Sequence, residues 1–299
     1  MGTGLGRVQI RVAAGGQGGR GLLAPRQLLV LPSVAWTATF FLLPLLLVAV
    51  YSFGRIDLIT FDIRFGWTLG NYGRVFQPLY LHTFVRSLVL SGSTTIGCLL
   101  VGLPLAHFIS RQPPRAQRVL LVMVMIPFWT SFIVRTYAIF NLLDNGGPVD
   151  GLARALGLVQ GHINILFSNK AIGLGILYSY LPLMVLPIYV ALERIDPAVL
   201  DAASDLGAGG RQVFRRVTLP LAMPGIGAGL IIVGIPAMGE YVIPDILGGG
   251  KTFMLGNVVA TQFLSVGDYP FGSAIAMTLI LPIALVLVLG RRRRVLEAA

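Results

Sequence analysis

The sequence is poor in charge. Asp, Glu, Lys and Arg together account for only 12% of the 299 residues, whereas hydrophobic residues account for 55%. A chain of this length cannot bury so much apolar surface inside a water-soluble globule. The composition therefore argues against a soluble protein and indicates that the lipid bilayer is its solvent.

Cysteine and histidine are scarce as well. The single cysteine, Cys98, excludes an internal disulfide and is interpreted as a small packing residue. His82, His107 and His162 are scattered without ligand spacing, so no metal site is predicted. The chain has no Ser, Cys or His nucleophile arrangement and no Gly-rich phosphate loop of the Walker type. We therefore expect no catalytic residues, no cofactor and no ATP binding by this chain itself.

Long apolar runs dominate the rest of the sequence. Each has the length of a membrane-spanning helix, and none alternates with the period of two that a membrane barrel requires. The predicted spans are residues 30–53, 87–109, 119–141, 171–192, 221–244 and 272–290. The expected fold class is an all-α polytopic membrane protein with about six transmembrane helices.

Basic residues are concentrated in alternate loops, which sets the expected orientation because basic loops stay on the cytoplasmic side. They are Arg7, Arg11, Arg20 and Arg26 before the first span, Arg111, Arg115 and Arg118 after the second, Arg194, Arg211, Arg215 and Arg216 after the fourth, and Arg291 to Arg294 after the sixth. Both termini and the loop at 193–220 are therefore predicted to be cytoplasmic. The net charge of +11 is explained by this topology, so no nucleic-acid partner is expected.

The chain is expected to have three parts. Residues 1–27 are rich in Gly and Arg and are predicted to be a disordered cytoplasmic tail, because they offer nothing to bury. Residues 28–290 form the membrane domain, and residues 291–299 form a basic cytoplasmic tail. The first span is too long for the core of a signal peptide, so it is interpreted as an uncleaved anchor.

The loop at 193–220 carries helix signals in order. Asp196 is a helix cap and Pro197 suits a first turn, so a short amphipathic helix is predicted up to Gly207, where glycine permits a left-handed backbone. A second helix is predicted to begin near Arg211 and to end at Leu219-Pro220. From physical chemistry alone, a helical hairpin lying on lipid headgroups is an alternative.

The spacing within this loop resembles a known motif. Asp201-Ala202-Ala203, three residues, Gly207, nine residues and then Val217, Thr218, Leu219 and Pro220 are similar to the EAA loop of permease subunits of bacterial ATP-binding-cassette importers, with Asp201 where the motif usually has Glu. Other segments resemble the spermidine/putrescine branch of these permeases. They are Leu69-Gly70-Asn71-Tyr72, residues 127–137 and Leu192-Glu193-Arg194-Ile195-Asp196, and the resemblance covers about residues 28 to 290.

The resemblance implies a type I ABC importer permease fold in the bacterial inner membrane. It also implies a second permease subunit, commonly a different chain, together with two cytoplasmic ATPase subunits and a periplasmic solute-binding protein. The loop would dock in a groove of the ATPase and act mechanically, through Asp201, Ala202, Ala203, Gly207, Val217, Leu219 and Pro220. Polyamines, or a similar small cation, are the implied solute.

Charged residues inside spans are costly and are therefore candidates for the solute path. Glu240 attracts a cation in one interpretation, and in the other it is a structural ion paired with Arg135. The remaining candidates are the aromatic residues Tyr241, Trp129, Tyr137 and Tyr180, which offer ring faces for ammonium groups, and the weaker acidic candidates Asp144 and Asp245. Anchoring at the membrane interface is the alternative role for the aromatic residues.

Two further hypotheses stay open from the sequence. The same machinery could carry ferric iron, an oxyanion or another organic solute. A self-sufficient secondary transporter or channel is a different class, which should show an inverted repeat that this chain does not clearly have. Gly225 and Gly229 form a Gly-x-x-x-Gly pair, which predicts a close helix crossing in any of these cases.

Overall fold

The described part of the protein is mostly helical. The structure, a computed structural model, describes residues 25–57 and 62–297, so the predicted N-terminal tail lies outside the described residues up to Ala24. The helices are α1 (Pro25–Tyr51), α2 (Gly70–Val75), α3 (Pro78–Ser110), α4 (Pro114–Trp129), α5 (Phe132–Leu143), α6 (Pro148–Ala155), α7 (Asn169–Glu193), α8 (Pro197–Asp205), α9 (Gly210–Val213), α10 (Leu219–Met238), α11 (Val242–Gly248), α12 (Leu255–Thr261) and α13 (Tyr269–Glu297). Two π-helical turns, Phe214–Thr218 and Gln262–Val266, continue α9 and α12.

The chain divides into two compact units, Met1–Leu47 and Val48–Ala299. The described part of the first unit is the greater part of α1. The second unit contains all the other elements, including a short antiparallel hairpin of β1 (Gly54–Ile56) and β2 (Ile63–Phe65), in which Gly54 is opposite Phe65. The side chain of Asn71 holds this hairpin, because its Nδ2 donates to the carbonyl oxygens of Ser52 at 3.0 Å and Gly54 at 2.8 Å.

Four helical stretches in the described residues are long and apolar enough to cross a membrane. They are Val30–Tyr51, Pro78–Ser110, Asn169–Glu193 and Gly210–Met238, and they correspond to the first, second, fourth and fifth predicted spans. The sixth predicted span lies within α13, which continues past residue 290 to Glu297. The predicted helical membrane fold is thus confirmed, but the described residues contain four such helices, or five if the bent pair below is one span, rather than about six.

The third predicted span, 119–141, is not one helix. The segments Pro114–Trp129 and Phe132–Ala155 are bent by 93° at Thr130 and Ser131, so they form a broken span or a re-entrant loop. Thr130 has an extended backbone, and its Oγ1 donates to the carbonyl oxygen of Pro127 at 2.7 Å. A hydroxyl that bonds to a nearby carbonyl competes with the helical hydrogen bonds, which favours a break at this place.

Helix α7 lies at the centre of the second unit, packed against both α3 and α10. Small residues permit these contacts. A Cβ at Gly225 would lie 2.5 Å from the Cβ of Ala191, and a Cβ at Gly229 would lie 2.7 Å from the Sδ of Met184. The close crossing predicted from the Gly-x-x-x-Gly pair is therefore confirmed, and glycine is what allows α10 to approach α7.

Helix α11 packs against the other half of α7, with Gly175 facing Ile243 and Leu247. The fifth predicted span, 221–244, ends earlier than expected because α10 stops at Met238 and the chain turns through Gly239, Glu240 and Tyr241 before α11 begins. This turn brings Glu240 next to α7. Glu240 and Tyr241 therefore lie at a helix junction rather than along a continuous span.

Candidate functional site

The first part of the site is the exposed helix α8. Asp196 caps it as predicted, since its carboxylate accepts a hydrogen bond from the amide of Ala198 at 2.9 Å, and Pro197 occupies the first turn. None of the nine described residues of α8 is buried. Leu206, immediately after it, is 89% exposed. Helix α8, with Leu206 after it, is therefore a capped helix with no buried residue.

Gly207 ends this helix in the way the sequence predicts. Its φ is +84°, a left-handed backbone that residues with a side chain adopt only at a cost. The amide of Gly207 donates to the carbonyl oxygen of Ser204, and the amide of Ala208 donates to that of Ala203. We refer to residues 194–218 as the docking loop, in which Asp201 and Ala202 are exposed and Ala203 is half-buried.

The prediction that the second helix of the docking loop ends at Leu219-Pro220 is wrong. Gly210 to Met238 is one continuous helical stretch that passes through the π-helical turn Phe214–Thr218. Pro220 has no amide hydrogen and its ring crowds the preceding turn, whereas a wider turn gives it room. The amide of Leu219 accordingly donates to the carbonyl oxygen of Phe214, five residues earlier. Val217 and Leu219 are half-buried, and Pro220 is exposed.

The second part of the site is the carboxylate of Glu240, which is only 7% exposed. Its Oε1 accepts hydrogen bonds from the amides of Tyr241, Val242 and Ile243 at 3.1, 3.0 and 3.4 Å. Its Oε2 accepts from the hydroxyl of Tyr180 at 2.7 Å. The negative charge thus lies at the N-terminus of α11, where unpaired amides and the helix dipole stabilise an anion.

Arg135 lies on α5, just after the break in the third span, and is 6% exposed. Its Nη1 donates to the carbonyl oxygen of Ser179 in α7 at 3.5 Å. Its guanidinium carbon lies 5.5 Å from the ring centroid of Phe128 and 5.7 Å from that of Phe132, on opposite sides of the break. Arg135 therefore holds the two halves of the broken span together and links them to α7.

Of the two interpretations of Glu240, the one that pairs it directly with Arg135 is wrong, since these two described residues form no ion pair within 4.0 Å. They contact neighbouring residues of α7 instead, Tyr180 and Ser179. Among the described residues, the Nε of Arg135 and the Oγ of Ser179 are buried without a hydrogen-bond partner. The group consisting of Arg135, Ser179, Tyr180 and Glu240 is called the polar junction below.

The other predicted solute residues are not gathered at the polar junction. Trp129 is 75% exposed and Tyr137 is 52% exposed. Asp144 is exposed and accepts a hydrogen bond from the amide of Asn145, while Asp245 is exposed in the first turn of α11. Among the described residues, neither the rings of Trp129 and Tyr137 nor the carboxylates of Asp144 and Asp245 form a hydrogen bond with the Glu240 carboxylate.

Tyr241 lies on a different surface, beside a cavity of about 440 Å³ between α10, α12 and α13. Tyr241 is 47% exposed. The rest of the wall is formed by Ile235, Met238, Gly239, Gly256, Val259, Ala260, Leu264, Ala276, Leu279, Ile280 and Ile283. No charged side chain is among these described lining residues, so the cavity offers apolar surface and one aromatic ring.

Sequence reasoning missed Asn257 and Gly256, which fix Tyr241 from the other side. The Nδ2 of Asn257 donates to the carbonyl oxygen of Tyr241 at 2.8 Å. A Cβ at Gly256 would lie 2.6 Å from the carbonyl oxygen of Glu240. The Gly-Asn dipeptide at 256–257 was the only available signal, and a turn would have explained it equally well.

Comparison with known proteins identifies the family of this chain. A family described as binding-protein-dependent transport system inner membrane component matches residues 99–297. The chain belongs to this family. Among curated relatives, the spermidine/putrescine transport system permease protein PotB of Haemophilus influenzae is 41% identical over 85% of this chain and 88% of its own length. PotB of Escherichia coli is 37% identical over 87% of this chain and 94% of its own length.

The fold agrees with this assignment. A bacterial ABC transporter involved in the import of the acidic polysaccharide alginate has a chain that superposes with a TM-score of 0.69, covering 90% of this chain and 94% of that one. The sequence identity is 15%, so this likeness shows the fold alone. The type I importer permease fold predicted from the resemblance is confirmed.

Family membership settles the class of protein. The chain is a multi-pass inner membrane permease subunit, and its relatives are transport proteins rather than enzymes. The alternative of a self-sufficient secondary transporter or channel is therefore not supported, because transport in this family depends on a separate binding protein.

Proposed function

We propose that this chain is one permease subunit of an ATP-driven importer of spermidine and putrescine. The observation that carries the proposal is the identity of 37–41% with permeases named for these solutes, over 85–87% of the chain. Ferric iron, oxyanions and other organic solutes are not favoured by these relatives. The complete importer contains a second permease subunit, two cytoplasmic ATPase subunits and a periplasmic solute-binding protein.

The orientation follows from the basic residues. Arg211, Arg215 and Arg216 lie in the docking loop, and both chain termini are rich in arginine. Because basic loops stay on the cytoplasmic side, this loop and both termini face the cytoplasm. The membrane domain spans residues 28–290. Its coupling segment, residues 193–220, consists of the docking loop together with Glu193, Leu219 and Pro220.

The docking loop couples ATP hydrolysis to transport. Its exposed helix α8 sits in a groove of an ATPase subunit, with the small residues Ala202 and Ala203 allowing close approach. This role is supported by two features of α8: none of its residues is buried, and its ends are fixed by the Asp196 cap and the left-handed Gly207. A rigid helix of this kind can transmit displacement when it packs closely against a partner. Val217 and Leu219 connect the loop to α10, and no residue of the chain takes part in catalysis.

The solute path passes the exposed ring of Tyr241 on this chain's side. An aromatic face attracts ammonium groups, and the apolar cavity beside it is compatible with the methylene segments of a polyamine. The carboxylate of Glu240 supports Tyr241 and adds negative potential without touching the solute, because all four of its hydrogen bonds come from the protein. Trp129, Tyr137, Asp144 and Asp245 are secondary candidates at exposed positions, and Arg135 and Tyr180 act through the polar junction.

Uptake of radiolabelled spermidine and putrescine by proteoliposomes containing the complete importer tests this function. We expect ATP-dependent uptake that requires the binding protein and is not inhibited by excess molybdate or ferric citrate. A Gly207→Val variant should lose stimulated ATP hydrolysis, because valine in a left-handed backbone costs about 1–2 kcal/mol. Gly209→Val is the matched control, since Gly209 has a φ of −66° that valine tolerates. Uptake of another solute but of neither polyamine would reject the assignment.

A further inference from the structure

The docking loop is covalently joined to only two of the three central spans. It continues from α7 at its first residues, and it leads through the π-helical turn into α10 at its last. The third central span, α3, ends at Ser110 and leads instead into α4. A displacement that passes directly from the loop to α3 therefore has to cross a non-covalent contact.

An aromatic pair forms such a contact. The ring centroids of His107 in α3 and Phe214 in the docking loop are 5.0 Å apart, and their planes meet at 67°, an edge-to-face arrangement. Both residues are half-buried. The Nδ1 of His107 is buried and has no hydrogen-bond partner among the described residues. Packing, rather than a hydrogen bond at that atom, thus positions the imidazole against Phe214.

The π-helical turn determines the direction of Phe214. Each residue of an α-helix is rotated by about 100° around the helix axis from the residue before it. The π-helical turn contains one additional residue, so the side chains that precede it are rotated by about that angle relative to those of α10. Phe214 is the first residue of the turn, and Val213 and Thr218 beside it are buried. The direction of the Phe214 ring is therefore linked to the backbone geometry at the start of α10.

We propose that the contact between His107 and Phe214 transmits movement of the docking loop to α3. This proposal rests on the coupling role proposed above for Asp201 to Gly207. Both are positioning residues, because they act through each other, by making α3 move together with α7 and α10. An edge-to-face pair of rigid rings is suited to this, since it resists displacement without needing a flexible side chain to reorder.

The experiment uses the complete importer in proteoliposomes and compares His107→Ala, Phe214→Ala and the double variant. Both single variants should assemble with the ATPase and keep basal ATP hydrolysis. Hydrolysis stimulated by the loaded binding protein should fall about two- to tenfold, the range that loss of one such aromatic contact corresponds to. Phe214→Tyr and His107→Phe keep a ring at each position and should therefore retain normal stimulation. Phe108→Ala is the matched control on α3, because Phe108 is 55% exposed.

The double variant distinguishes a shared contact from separate effects. If the contact transmits movement, the double variant is no worse than the worse single variant. Two results would overturn the proposal: normal stimulation in either alanine variant, or effects that multiply in the double variant. A defect confined to Phe214→Ala would mean that Phe214 acts by touching the ATPase itself. Failure of the coupling role is recognised separately, because Gly207→Val would then be fully stimulated.

Discussion

Replacing Glu240 with glutamine tests whether the buried carboxylate stabilises the helix junction or binds solute. The side chain volume is nearly unchanged, so the change removes charge and little else. Glutamine keeps one oxygen that can accept from the amides of Tyr241, Val242 and Ile243, and its amide group can donate to the hydroxyl oxygen of Tyr180. The main loss is the attraction between a negative charge and the N-terminus of α11, up to about 2 kcal/mol in a partly buried site.

Alanine at the same position should have a larger effect. It leaves the first amides of α11 and the Tyr180 hydroxyl without their acceptor, and each unsatisfied buried group costs roughly 1–3 kcal/mol. Since such costs are not additive, we expect a total of about 3–5 kcal/mol, as for breaking a buried charge interaction. Glu240→Gln should thus yield assembled subunit with slightly lower thermal stability, and Glu240→Ala should assemble poorly.

The assay combines thermal unfolding of the purified importer with uptake kinetics. A double-mutant cycle of Glu240→Gln with Tyr180→Phe should show a coupling energy of roughly 0.5–3 kcal/mol, because glutamine replaces the charge-assisted hydrogen bond between these side chains with a weaker neutral one. Arg135→Gln should not rescue Glu240→Gln, since no ion pair links these two described residues. A large rise in KM for the polyamine with unchanged stability would refute this reasoning and identify Glu240 as a solute ligand.

Two further predictions concern packing and topology. Gly225→Ala should lower the thermal stability of the importer in detergent, because the added Cβ would lie 2.5 Å from both the Ala191 Cβ and the Pro187 carbonyl oxygen. Overpacking of this kind costs about 1–3 kcal/mol of folding free energy. Gly227→Ala, which meets nothing within 4 Å, should be neutral or stabilising by up to about 1 kcal/mol, and equal behaviour of the two variants would contradict the observed crossing. Reporter fusions after Arg115 and Gly210 should be active as cytoplasmic fusions, and those after Gly66 and Gly157 as periplasmic ones. A periplasmic signal at Gly210 would be incompatible with docking to a cytoplasmic ATPase.

The docking loop was the most predictable part of the fold because its structure depends on neighbouring residues. Asp196, Pro197 and Gly207 act through local backbone chemistry, and each occupies the position that the sequence indicates. The π-helical turn was not predictable, because Leu219-Pro220 is a helix stop by local rules. The stop is overridden since α10 buries its small and apolar residues against α7 only if the chain stays helical.

The polar junction was less predictable because its contacts join distant parts of the chain. The hydroxyl of Tyr180 reaches Glu240 across 60 positions, and Arg135 reaches Ser179 across 44. Hydropathy detects neither, and it also hides the break at Thr130 and Ser131, since the flanking residues are uniformly apolar. A buried Glu240 was correctly recognised as unusual, but three of its four hydrogen-bond partners are backbone amides, which no residue pattern identifies.

The geometry of the polar junction limits how a polyamine could be stabilised along the proposed path. The Glu240 carboxylate already accepts four hydrogen bonds, and the described wall of the cavity beside Tyr241 has no charged side chain. A charge held without a partner inside a membrane costs at least about 2.5–3.5 kcal/mol, and a polyamine carries more than one. The ring of Tyr241 offsets about 0.5–2 kcal/mol of this for one ammonium group. On the proposed path, acidic groups of the second permease subunit or retained water must therefore compensate the remaining charge of the polyamine.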